Sequence, residues 1–204
     1  MNNIILKAEN LHYSYTKEHE VLKGVSLDIY EGERLAILGA NGSGKSTFFL
    51  NINGVLKPES GAVYYRDKLI NKSSIKELRK NVGIVFQDAD NQIIASTVRA
   101  EVSFGPMNLG LSKDEVTKRV LDSLNYMGIS HLIDRPPHYL SGGEKKRVSI
   151  ADIIAMDSEI IIFDEPTASL DPQNISIFEE VLGKMSLDNR TLIISTHDLE
   201  FAFR

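Results

Sequence analysis

Gly39-Ala40-Asn41-Gly42-Ser43-Gly44-Lys45-Ser46-Thr47 carries the spacing G-x-x-x-x-G-K-[ST], a pattern built to hold phosphate. Its glycines let backbone N–H groups turn inward around phosphate oxygens, and the helix that follows adds the positive end of its dipole. Lys45 is expected to reach the terminal phosphates and the Ser46 hydroxyl to ligate Mg²⁺. The string stands between an apolar run, Leu35-Ala36-Ile37-Leu38, and a helical run. That setting separates a phosphate loop from a chance glycine-rich turn.

Two carboxylates end a second apolar run, Ile160-Ile161-Ile162-Phe163-Asp164-Glu165. Ligands of open α/β sheets sit beyond the carboxyl ends of the strands. Asp164 is therefore expected to reach the hydrated Mg²⁺, and Glu165 to orient or deprotonate an attacking water. Without the phosphate loop, two acids before Pro166 would read as turn residues. Gln87 ends the run Val82 to Phe86, where its amide oxygen can serve Mg²⁺ or position water. His197 follows Leu192-Ile193-Ile194-Ser195-Thr196, a place from which its imidazole can hydrogen-bond a γ-phosphate. His12, His19, His131 and His138 share no metal-ligand spacing and read as surface or packing residues.

The elements that must position these groups show in the hydrophobic pattern. Ile4 and Leu6, then Val25, Leu27 and Ile29, alternate with polar neighbours, which predicts half-buried strands in an N-terminal antiparallel sheet that Gly61 to Tyr65 joins. The runs at Leu35 to Leu38, Val82 to Phe86, Ile160 to Phe163 and Leu192 to Ile194 are short and continuous, as in strands buried on both faces. Helical patterns intervene. Ile175, Phe178, Leu182 and Met185 recur at steps of three and four behind Asp171 as cap and Pro172 as first helical residue. Strand alternating with helix predicts a mainly parallel α/β core.

Between Asp88 and Leu140 the strand signals fade. Ser112-Lys113-Asp114-Glu115 has the spacing of a capping box, and Val116, Val120, Leu124 and Met127 mark one face of a helix ending near Gly128. This stretch predicts a helical subdomain, about residues 88–150, inserted into the core. Leu140-Ser141-Gly142-Gly143-Glu144 opens a further helix, with Ser141 and Glu144 spaced as a capping box and a helix N-terminus open to an anion. A new helix is expected to begin at Asp198.

The whole chain bounds the possibilities. At 204 residues, 42% hydrophobic and 25% charged, it has the size and composition of one globular domain. Its formal net charge of −5 argues against a large basic footprint for nucleic acid. Lys145-Lys146-Arg147, the one compact basic run, reads as a solvated helix face. There is no Cys, which excludes disulfides and thiolate metal sites. No stretch approaches the ~18 apolar residues that cross a bilayer, so any membrane role must come through a partner.

The phosphate loop, Gln87, Leu140 to Glu144, Ile160 to Glu165, Ser169-Leu170-Asp171 and His197 stand in the order of the ABC ATPase motifs. The chain resembles that family over essentially its whole length, which implies one ATPase domain over residues 1–204, with a P-loop NTPase core, ATP and Mg²⁺ as ligands, and ATP hydrolysis as its activity. The resemblance also implies a head-to-tail dimer in which Ser141, Gly142 and Gly143 of one subunit close over ATP held by the other. Tyr15 is the implied adenine-stacking aromatic, with Tyr13 the alternative, and Asp171 couples the two sites besides capping its helix. A non-transport ABC ATPase acting on nucleic acid is the rival from another class; coiled coils or zinc inserts would mark it.

A narrower resemblance rests on Gln87-Asp88-Ala89-Asp90-Asn91-Gln92, Val102 to Leu111 and Arg135-Pro136-Pro137-His138-Tyr139. These segments are similar to importers of the energy-coupling-factor type, particularly cobalt or nickel uptake ATPases, with a vitamin importer as alternative. Implied with them are the cytoplasmic face of the cell membrane, a second ATPase subunit (identical or related), a transmembrane energy-coupling component and a substrate-binding membrane component. Residues 88 to 110 are the implied docking surface. Two departures from the family stand out. Glu144 occupies a position that more often holds Gln, and either side chain completes the capping box. Family members also continue past the histidine, so the C-terminal end of the domain is expected to be missing.

Overall fold

In chain order the strands of the computed structural model are β1 (Ile4–Thr16), β2 (His19–Tyr30), β3 (Arg34–Leu38), β4 (Ser60–Tyr65), β5 (Lys68–Leu69), β6 (Val82–Val85), β7 (Ile160–Asp164) and β8 (Thr191–Thr196). The helices are α1 (Lys45–Ile52), α2 (Ile75–Asn81), α3 (Val98–Asn108), α4 (Lys113–Tyr126), α5 (Gly142–Ala155), α6 (Pro172–Leu187) and α7 (Leu199–Ala202). The structure describes residues 3–168 and 170–202. They divide into two compact units. One takes the residues up to Ile84, Glu159–Glu165 and those from Ser186 onward; the other takes Val85–Ser158 and Pro166–Met185.

The first unit holds both sheets. One is antiparallel, in the order β2-β1-β4-β5, and the other runs β3-β8-β7-β6, with β3 parallel to β8 and β8 parallel to β7. Alternation from Val25 to Tyr30 in β2 buries Ile29 and exposes Ser26 and Asp28, as a sheet with one packed face requires, and beyond a register shift in the pairing with β1 Leu22 is buried as well. In β6, β7 and β8 every residue is buried, the consequence of apolar runs covered on both faces. β3 departs from the expectation that it too is doubly buried. Its residues alternate between half-buried and exposed, and Leu38 keeps 46% of its surface. Among the described residues β3 is an edge strand, with β8 as its one neighbour, and one of its faces lies open. Side chains tie the layers together within this unit. The buried Asn53 donates to Val82 O at 2.6 Å, and Tyr65 Oη donates to Glu159 at 2.6 Å. Burial and that carboxylate push the Tyr65 phenol up to about 12.

The second unit is helical. α3, α4 and α5 pack on one another through Val98 and Val102, Val116, Val120 and Leu124, and Val148, Ile150 and Ala151. Gly105 lets α3 approach α5 closely, because a Cβ there would run into the Met156 side chain. Ser112 caps α4 by accepting from Glu115 N at 3.3 Å, but the capping box expected there is not closed. Glu115 turns forward instead to Arg119, with 3.0 Å between Oε1 and Nε, since a full guanidinium charge one turn on outbids a single amide. α6 begins as its sequence predicts, with Pro172 first and the Asp171 carboxylate accepting from Asn174 N and Nδ2, both at 2.8 Å. Those bonds hold the Asp171 carboxyl below its ordinary range. Ser169, grouped with Leu170 and Asp171 above, lies outside the described residues.

Inside the α3–α5 contact stands a carboxyl that no sequence pattern announces. Asp152 is largely withdrawn from water, and its Oδ1 has no hydrogen-bond partner. Burial, and then the nearby Glu101 carboxylate from α3, push it up to about 7. Glu101 is itself buried and accepts from Ile94 N at 2.9 Å and Ala95 N at 2.7 Å. Arg119 of α4 donates to Ala155 O at 3.3 Å, at the end of α5.

The Asp152 shift has a definite sign. Its folded value of about 7 lies above the ordinary 3.8, so between those two pH values unfolding releases a proton. The Asp152 contribution to stability is therefore fullest below about pH 4, falls as pH rises toward 7 and is level above it. Denaturant titrations across that window should show Asp152 contributing a decline of up to about 4 kcal/mol. Asp152→Asn should remove this part of the slope and leave the protein more stable than wild type at pH 8.

Candidate active site

Parallel register brings the chemistry to one sheet edge. Leu38 pairs with Thr196, and Asp164 pairs with Ser195. The next residues along the three strands are Gly39, His197 and Glu165, so the phosphate loop, the imidazole and the second acid leave the sheet side by side. Gly44 then turns the loop into α1 at φ +95°, a left-handed conformation that favours glycine, while a Cβ there would press on Val21 at 3.1 Å. Gly39, Ala40, Asn41, Gly42 and Ser43 form the loop, which Ser43 N closes with a 3.2 Å bond to Ala40 O. Ser46 is exposed on the first turn of α1, and Thr47 is buried beside it.

Lys45 is buried and points back into this loop. Its Nζ donates to Gly39 O at 2.6 Å and Ala40 O at 3.1 Å and lies 3.1 Å from Glu165 Oε1. The side chains of Lys45 and Glu165 keep 8% and 7% of their surface, so the pair is held in a medium where charge interactions are strong. The other carboxylate oxygen, Glu165 Oε2, is 2.8 Å from His197 Nδ1. Glu165 itself sits at φ +44°, a strained conformation for a residue with a side chain that persists where its surroundings over-determine it.

Ser195 supplies part of that over-determination. Fully buried, it accepts from Glu165 N at 2.9 Å and donates to Asp164 Oδ1 at 2.6 Å. One hydroxyl thus orients both acids. Sequence reasoning passed it over as the polar end of an apolar run, yet a hydroxyl next to His197 in a strand of Leu and Ile was the available signal.

Tyr15 keeps 59% of its surface, places its hydroxyl 3.3 Å from Thr47 Oγ1, and meets the Tyr13 ring edge-on at 5.1 Å between centroids. Of the two tyrosines it is the one that offers an open ring beside the first turn of α1. The donors in this unit suit a magnesium polyphosphate. Asp164 and Ser46 present hard oxygens, which Mg²⁺ prefers, and a buried lysine and a helix N-terminus present positive charge.

The second unit carries the remaining expected site residues. Gln87 is exposed beyond β6. Ser141 caps α5 with a closed capping box, its Oγ accepting from Glu144 N at 3.3 Å and its N–H donating to Glu144 at 2.8 Å, ahead of Gly142 and Gly143. The Glu144 carboxyl is held below its usual range chiefly by that backbone N–H, so glutamate fills the capping role that the resemblance assigns to glutamine. The basic run behind it is not a solvated face. Lys146 retains 3% of its surface and donates to Phe86 O at 2.8 Å and Gln87 O at 2.7 Å, while Lys145 Nζ meets Asp90 Oδ1 at 2.5 Å. Two backbone carbonyls of the loop before α3 hold Lys146, and a carboxylate of the same loop holds Lys145.

A parallel sheet that delivers a phosphate loop and two acids to one edge defines a P-loop nucleotide-hydrolysing protein. A sequence profile of the family described as ABC transporter matches residues 22–168, and the chain belongs to that family. It is 48% identical over 198 residues to the energy-coupling factor transporter ATP-binding protein EcfA of Methanocaldococcus jannaschii, covering 96% of this chain and 71% of that one. Against EcfA3 of Clostridium perfringens it is 47% identical over 203 residues, 98% of this chain and 71% of the relative.

Among solved structures, CbiO1 of Clostridium perfringens, part of the ABC transporter complex CbiONQ, superposes with a TM-score of 0.87 at 46% identity, over 98% of this chain and 80% of that one. A dimeric ATP-binding cassette in a post-hydrolysis state, bound to ADP and Pi, superposes at 0.85 with 32% identity, over 97% and 90%. The α/β core, the N-terminal antiparallel sheet and the helical insertion are those of ABC ATPases. The chain is an ABC transporter ATPase of energy-coupling-factor type that works on ATP with Mg²⁺. No helix among the described residues is long and apolar enough to cross a membrane.

Ser195→Ala should leave the Asp164 oxygen and the Glu165 N–H without their shared partner, at a cost of about 1–3 kcal/mol. A lower denaturant midpoint with unchanged slope would register that loss; an unchanged midpoint would show that the hydroxyl holds neither group.

Proposed function

We propose that this chain is the ATP-driven motor of a metal-ion importer, taking up cobalt or nickel, with vitamin import through the same architecture as the alternative. The similarity to CbiO1 at 46% identity over 98% of the chain supports the cobalt reading, and relatives named only for energy coupling leave vitamin import as the competing outcome. The motor acts as one ATPase domain, its helical insertion at about 88–150 receiving the membrane partners. It works at the cytoplasmic face of the membrane as one of two ATPase subunits, with a transmembrane energy-coupling component and a substrate-binding membrane component. Exposed Ile94, Phe104, Met107 and Tyr139 favour the insertion as the docking surface, since large apolar side chains left in water mark contact sites.

The Lys45–Glu165 pair carries the mechanistic reading. A γ-phosphate arriving at Lys45 competes with Glu165 for the ammonium. The freed carboxylate then accepts the proton of the attacking water, with His197 on its other oxygen keeping it oriented and bonding the γ-phosphate. Gly39 to Thr47 cradle the phosphates, and Tyr15 stacks on the adenine. Ser46, Asp164 and Gln87 would supply oxygen donors to Mg²⁺, which when bound would neutralise phosphate charge. Ser141, Gly142 and Gly143 of the partner subunit close the site, and catalysis comes mainly from positioning and electrostatics.

Glu165→Gln should reduce turnover at least about a hundredfold while ATP still binds, and its mass in solution should double when Mg-ATP is added. A variant that stays monomeric with ATP bound would remove the homodimer and leave a related ATPase subunit as the second half of the site. In cells, deletion of the gene should abolish uptake of labelled cobalt or nickel ions; unchanged metal uptake with lost vitamin uptake would select the alternative cargo.

A further inference from the structure

A second buried lysine has no part in the chemistry above. Lys146 lies one turn into α5, five residues beyond the Ser141 cap, and its ammonium ends on two backbone carbonyls, Phe86 O and Gln87 O, at 2.8 and 2.7 Å. An ammonium with 3% of its residue surface left is costly to bury unless it is hydrogen-bonded. Bonds from a charged donor are the strong kind. The loop these carbonyls begin is otherwise held mostly by its own residues. Phe86 N donates to Gln92 Oε1 at 3.2 Å, Asp90 N to Asp88 Oδ1 at 2.9 Å, and Asn91 Nδ2 to Asp88 Oδ2 at 3.3 Å. Lys145 adds the ion pair to Asp90. Two successive lysines of one helix therefore grip one loop, Phe86 to Gln92, and the grip of Lys146 falls on the backbone of Gln87 while its side chain stays exposed.

We infer that Lys146 is a positioning residue for Gln87: it ties the Gln87 backbone to the helix that opens at Ser141-Gly142-Gly143, so that any displacement of α5 re-aims the Gln87 amide. This rests on the reading of Gln87 as a Mg²⁺ or water ligand. A carbonyl clamp suits the task because it fixes the main chain without occupying the amide that does the work. Arginine should substitute in part, since its guanidinium can donate to both carbonyls, whereas methionine keeps the stem and loses every donor.

The test compares wild type, Lys146→Met, Lys146→Arg, Gln87→Ala and the Met–Ala double variant, all as the full chain. Amide hydrogen exchange is followed peptide by peptide, and ATPase activity is titrated with Mg²⁺ at fixed ATP. Lys146→Met is expected to raise exchange at least about tenfold in the peptide spanning Phe86 to Gln92, with α4 unchanged. It should also raise the half-activating Mg²⁺ concentration by about five- to tenfold, as far as Gln87→Ala does, and the double variant should add little. Arginine should restore both readouts most of the way.

Loop exchange at the wild-type level in Lys146→Met overturns the inference, and so does a Mg²⁺ shift that adds in full to that of Gln87→Ala. Exchange raised throughout α3, α4 and α5 also overturns it, because it would mark Lys146 as general packing. If Gln87→Ala itself leaves the Mg²⁺ midpoint unmoved, it is the assignment of Gln87 that fails, and loop exchange alone then decides whether Lys146 clamps this segment.

Discussion

A lysine ammonium and a glutamate carboxylate, each with less than a tenth of its side-chain surface in water, face one another across 3.1 Å at the carboxyl end of the parallel sheet. Neither charge is tolerable there alone, since an ion buried without a partner costs several kcal/mol. The local architecture follows from keeping them together. The phosphate loop folds so that Gly39 and Ala40 lend carbonyls to Lys45. Glu165 adopts a left-handed backbone, with its N–H on Ser195 and its second oxygen on His197. In the mechanism proposed above a polyphosphate opens this pair, because its several oxygens offer the ammonium more charge-assisted bonds than a single carboxylate can.

The same device recurs in the helical unit with different partners. Lys146 is buried more deeply than Lys45, at 3% against 9% of its surface, and its ammonium donates to two backbone carbonyls. Its charge is thus spent on holding backbone. In the same unit, Asp152 is largely withdrawn from water with one oxygen unbonded beside Glu101, and its carboxyl moves toward neutrality. The helical unit contains both solutions to a buried ionisable group: a fully bonded charge and a group that gives up its charge.

Much of this was legible in the residue string. Sheet and helix alternation, the cap of α6 at Asp171 and Pro172, the capping box at Ser141 and Glu144, and the loop from Gly39 to Thr47 are local patterns, set by steps of two, three and four residues along the chain. What failed was of one kind. The openness of β3, the turn of Glu115 toward Arg119, the burial of Lys146 and the role of Ser195 depend on which neighbour arrives from far along the chain, or on which of two nearby acceptors wins. A basic run on a helix looks the same in sequence whether its surroundings are water or the carbonyls of a loop more than fifty residues earlier.

By itself the sequence determined the motifs, their order and hence the family, because phosphate binding and strand-end acids need particular residue types at particular spacings, and spacing is a property of the string. Tertiary structure alone decided that Asp164 and Glu165 share one serine, that Glu165 stands between Lys45 and His197, and that Lys146 holds the Gln87 backbone. Those are facts of strand register and helix packing, and buried polar groups are strong only toward partners that packing brings within about 3 Å.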